Sequence, residues 1–105
     1  MDQCLRPSNK GFLTIVIDHE SLEFVSSGEI FPLIDDILAN YRTSKVVIDL
    51  NNVVYLSKSE IMTLNNLVGS LHLLALEIEY TGMSHKLSLS ITTQGVNLAS
   101  SQISP

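Results

Sequence analysis

The stretch from Lys45 to Ile61, KVVIDLNNVVYLSKSEI, constrains the fold more than any other part of the chain, because it reads as strand, turn, extended piece and helix start in immediate succession. Val46 to Leu50 is a short apolar run rich in β-branched residues and closed by Asn51-Asn52. That is the pattern of a strand covered on both faces and ending in a turn. Ser57 and Glu60 then make an S-x-x-E capping box ahead of Ile61, Leu64, Val68 and Leu71. A helix therefore starts with Ser57 as its N-cap and runs from about Lys58 to Leu73, with Lys58 and Ser59 in its first turn. Gly69 weakens this helix by roughly 1 kcal/mol relative to Ala, tolerable where another element packs close.

The rest of the chain alternates in the same way. Pro7-Ser8-Asn9-Lys10-Gly11 is a turn-forming run, so residues 1–10 read as an N-terminal arm or hairpin strand ahead of a strand from Phe12 to Asp18. Asp18-His19-Glu20-Ser21 reads as a solvated loop ending that strand; its side chains point different ways and make a poor metal site. Ile30, Ile34, Ile37, Leu38 and Tyr41 share one helical stripe, which places a helix from near residue 29, with Pro32 admitted only in its first turn. The adjacent Asp35 and Asp36 lie about 100° apart on that helix and form a solvated face rather than a catalytic pair.

Leu76 to Thr81 alternates as a strand with one wet face, and Gly82 breaks it. Ser84 fits the N-cap of a helix from His85 to about Gln94, with Leu87 and Ile91 as a helical pair, while Leu87, Leu89 and Ile91 alternate as in a strand, so the pattern alone leaves both open. Val96 to Leu98 is expected to add a final short strand, and residues 99–105 to form a flexible tail. Alternating strands and helices call for a mainly parallel sheet with right-handed crossovers.

The chain has 105 residues, 45% of them hydrophobic, enough for one domain with a core. Its formal charge of −5, with six scattered basic residues, argues against a nucleic-acid partner. Cys4 is the only cysteine, so no intramolecular disulfide forms and a reducing compartment is expected. The N-terminal residues lack a leader pattern, and no apolar run reaches the roughly 18 residues of a membrane span, so a cytoplasmic protein is expected. There is no phosphate-binding glycine motif, no nucleophile–base set around His72 and no metal spacing. No cofactor, metal or catalytic residue is expected.

The order of two hydrophobics, Ile48-Asp49-Leu50, two polar residues, a hydrophobic triplet, a short serine motif and an amphipathic helix resembles the STAS domain of bacterial anti-sigma factor antagonists. Leu76 to Ser84, Leu87, Ile91 and Gly95-Val96 are similar to that family's next strand, glycine turn and helix, so the likeness runs from about Phe12 to about Leu98. The resemblance implies one STAS-like α/β domain, a mainly parallel mixed sheet of four to five strands with three helices. It also implies a non-catalytic interaction module that binds an anti-sigma factor or kinase-like regulator, a scaffold or other STAS proteins. The alternative it permits is a structural subunit of a scaffold or of a membrane transporter complex. The implied partner surface comprises Ser57, Lys58, Ser59 and Glu60, with Asn52, Met83 and Ser84 beside them. Family members carry Asp-Ser-Ser-Gly or Asp-Ser-Thr-Gly at the corner, the serine after the aspartate being phosphorylated. Here Lys58 fills that place and cannot accept phosphate. An uncovered sheet edge further predicts weak self-association.

Overall fold

Residues 4–8 and 10–98 are described by the computed structural model of the chain. Strands β1 (Leu5–Pro7), β2 (Phe12–Val16), β3 (Lys45–Asp49) and β4 (Glu77–Thr81) form one sheet in the order β1-β2-β3-β4. The first two pair antiparallel, while β2, β3 and β4 run parallel. Leu5–Pro7, within the expected N-terminal arm, pairs with β2 as an antiparallel strand. Among the described residues four helices accompany the sheet: α1 (His19–Ser26), α2 (Ile30–Asn40), α3 (Lys58–Leu73) and α4 (His85–Thr93).

The fourth helix is α1, which replaces the expected solvated loop after β2 and raises the expected three helices to four. Its start is chemically specified. The Asp18 carboxylate accepts from the Ser21 N–H at 2.7 Å, and the Ser21 hydroxyl accepts from the Asp18 N–H at 2.9 Å, a reciprocal capping box. Ser21, Leu22 and Val25 then turn inward one helical turn apart. α2 begins at Ile30, which puts Pro32 in the first turn, where its missing N–H has no helical acceptor to lose.

Among the described residues the sheet is covered on one face, not two. β3 alternates between buried Val46 and Ile48 and half-buried Lys45, Val47 and Asp49. The strand register sets Leu13, Val46 and Ile78 in one row and Thr14, Val47 and Glu79 in the next, so the whole sheet shares this alternation. Topology supplies the reason. Parallel strands that are neighbours in both sequence and space, joined by crossovers of one hand, receive all their helices on the same side. Beneath those helices Leu13, Ile15, Ile48, Leu64, Leu67 and Leu71 are fully buried, each contributing about 1.5–3 kcal/mol through apolar area removed from water. Tyr80 also turns inward, and burial pushes its phenol up to about 12.

α4 is helical because Leu87 and Ile91 are buried while Leu89 is 51% exposed, a division only the helical period makes. No strand forms at residues 96–98. The Asn97 carbonyl instead accepts from the Asn65 side chain in α3 at 3.0 Å, so this backbone is tied to a helix rather than to a strand edge. The expected tail at residues 99–105 lies outside the described residues. Gly69 sits on the open side of α3, with nothing within 4 Å of the place a Cβ would take, so no element packs close there.

Candidate partner-binding corner

The corner between β3 and α3 is built at the carboxyl ends of the parallel strands. Its first component is a turn held by Asp49, whose carboxylate accepts from the Asn51 N–H and the Asn51 side-chain amide, both at 2.9 Å. Leu50 donates its N–H to the Thr81 carbonyl at 2.8 Å and thereby brings the loops that follow β3 and β4 together. Gly82 occupies the contact point at φ +78°. A Cβ there would meet the Asn51 side chain at 2.6 Å and its backbone nitrogen at 2.8 Å, so both the conformation and the space require glycine.

The second component is the start of α3. Ser57 is the N-cap: its hydroxyl accepts from the Glu60 N–H at 3.2 Å, and the Glu60 carboxylate accepts from the Ser57 N–H at 2.9 Å. The other Glu60 oxygen meets Nδ1 of His19, the first residue of α1, at 2.5 Å. Partial burial works against charge on Glu60, but the His19 ring together with the Ser57 backbone and hydroxyl outweighs it. The carboxyl is held below its ordinary value. One side chain therefore closes the cap of α3 and joins it to α1.

The expected surface residues are not all equivalent. Lys58 and Ser59 are exposed on the first turn of α3, and the Ser57 and Ser59 hydroxyls lie 3.3 Å apart. Ser57 and Glu60 are half-buried and occupied by the capping box, which makes them supports of the corner rather than free contacts. Asn52 is exposed in the turn after β3, and Met83 in the loop after β4. Ser84 accepts from the Leu87 N–H at 3.1 Å as the N-cap of α4. At its far end α4 is tied to the segment between β3 and α3, the Gln94 amide donating to the Leu56 carbonyl at 2.6 Å.

His19 escaped sequence reasoning as a member of the corner; the only available signal was its place after Asp18 at a D-x-x-S box. Between α1 and α3 runs a groove of about 460 Å³ lined by His19, Glu23, Ser26, Ser59, Glu60 and Thr63, among others. Hydroxyls, carboxylates and the His19 ring line it. Among the described residues no three His, Cys, Asp or Glu side chains converge as metal ligands, and no helix is long and apolar enough to cross a membrane. Comparison of the chain with protein-family models, with curated proteins and with solved structures finds no match in any of the three.

Proposed function

We propose that this chain is a non-catalytic protein-interaction module of the anti-sigma factor antagonist kind, which binds a regulatory kinase or scaffold in the cytoplasm through the corner at residues 57–60. The observation that carries the reading is the doubly tied start of α3, where Glu60 both completes the Ser57 cap and pairs with His19. Such bracing holds Lys58 and Ser59 in a fixed, solvent-facing geometry, and a surface ordered before binding loses less entropy when a partner docks. The test is affinity capture from lysate of the source cells with wild type and Lys58→Glu as parallel baits. Recovery of a kinase-like protein by wild type, reduced for the variant, supports the reading; equal recovery by both baits removes the corner from it.

A second reading, a structural subunit packed against other domains of its kind or a transporter's cytoplasmic face, is favoured by the sheet face opposite the described helices and by β4 as the edge strand of the described sheet. Glu77 and Glu79 guard that edge, because two copies paired there bring like charges together. Self-association is accordingly weak in this reading. Sedimentation across protein concentration checks it, and a constant monomer mass up to about millimolar protein counts against the subunit.

A further inference from the structure

The corner carries more unsatisfied surface than a braced turn requires. Eight large hydrophobic residues stand exposed among the described residues, and four of them belong to this end of the sheet: Val54 at 58%, Tyr55 at 53%, Met62 at 55% and Met83 at 40%. Val54 and Tyr55 lie in the loop directly before the Ser57 cap, and Met62 stands one helical turn beyond Lys58 on the same flank of α3. Tyrosine and methionine suit a contact surface, one as a rigid amphipathic anchor and the other as an adaptable apolar one.

In a chain of formal net charge −5 the exposed charge on this flank is Lys58. The carboxylates of the corner keep their charge but are turned to other partners, Asp49 to Asn51, and Glu60 to Ser57 and His19. Lys58, in the first turn of α3, is in no ion pair among the described residues. At about 100° per residue, Glu60 and Thr63 face α1, while Lys58 and Met62 fall on the flank of α3 turned away from it. Glu23 lines the groove on the α1 side, so its charge does not offset Lys58 on the opposite flank.

We infer that the flank formed by Val54, Tyr55, Lys58 and Met62 docks a protein segment that presents Asp or Glu beside an aliphatic or aromatic residue. The inference rests on the interaction-module reading and adds the chemistry of the partner. The apolar side chains supply buried area, and Lys58 supplies orientation and selection against basic partners.

The experiment is selection of random dodecapeptides displayed on phage against the folded full-length chain. Selected peptides are then titrated against wild type, Lys58→Ala, Lys58→Glu and the double variant Tyr55→Ser/Met62→Ser. All substituted positions are exposed, and circular dichroism checks that each variant keeps its fold. The expected result is enrichment of Asp or Glu next to a large apolar residue, affinity that falls with added salt, and about tenfold weaker binding to Lys58→Glu, with Lys58→Ala in between. Neutral or basic winners that still lose affinity for the double variant overturn the acidic chemistry and leave the corner as a binding surface. Winners indifferent to the double variant, or an empty selection, overturn the corner itself. Adsorption to phosphatidylserine vesicles without any peptide enrichment overturns the inference in favour of a membrane surface.

Discussion

Glu60 of α3 and His19 of α1 meet at 2.5 Å although 41 residues separate them in the chain, and the same carboxylate closes the cap on Ser57. The start of one helix is thereby mechanically coupled to the start of another. The coupling has a pH signature whose sign follows from the lowered Glu60 value. A carboxyl depressed in the folded state stabilises the fold above its unfolded value, 4.5 here, and loses that contribution as pH falls through the folded value. Glu60→Gln should therefore be less stable than wild type at pH about 6, and the gap should close as pH falls below about 4.5. Urea titrations of both proteins across the acid range measure it, and a gap independent of pH refutes the assignment.

Ser57 offers a second test at the same corner. Its hydroxyl holds the Glu60 N–H, so Ser57→Ala should cost about 0.5–2 kcal/mol while Ser57→Asp, an equivalent cap, should be nearly neutral. Equal urea midpoints for Ser57→Ala and wild type would show that the cap contributes nothing. The cap was legible in the sequence because its donor and acceptor lie three residues apart. His19 was not, since nothing in either local pattern encodes which helix starts share an end of the sheet.

Gly69 and Gly82 should respond to alanine with opposite signs. Gly69 lies in the interior of α3 with open space where a Cβ would stand, so Gly69→Ala should stabilise by about 0.4–1 kcal/mol through helix propensity and lower unfolded-state entropy. Gly82 has positive φ and Asn51 within 2.6 Å of the Cβ position, so Gly82→Ala should destabilise by about 1–3 kcal/mol or more. Thermal melts of the two variants beside wild type decide both. A stabilised Gly82→Ala contradicts the close approach of the loops after β3 and β4.

Phosphorylation at the corner should be inefficient. Lys58 offers no hydroxyl, the Ser57 hydroxyl is committed to the cap, and the Glu60 carboxylate repels a phosphate on its neighbour Ser59. Intact-mass spectrometry of protein isolated from its source should show less than stoichiometric phosphate on Ser57 and Ser59. A fully phosphorylated serine at either position removes the prediction and the view of Lys58 as a fixed, unswitched contact.

Local chemistry determined most of the elements in the sequence itself. The Ser57–Glu60 box and the apolar stripe behind it place α3 at Lys58–Leu73, alternation places β4, and the turn at residues 7–11 implies the hairpin of β1 and β2. These are relations over two to four residues, where backbone geometry alone sets which side chains meet. α1 was harder to read because eight residues with two large buried hydrophobics make a weak stripe, and its Asp18–Ser21 box lies in a run that resembles a polar loop. Only the tertiary structure decided which face of the sheet is covered. An apolar run such as Val46 to Ile48 is compatible with burial on both faces, and the strand order β1-β2-β3-β4 settles the matter by sending every crossover to one side. For the same reason only the assembled fold could bring His19 to Glu60 and set Lys58, Tyr55 and Met62 on an open flank: contacts between elements depend on relative position, which no short-range pattern carries.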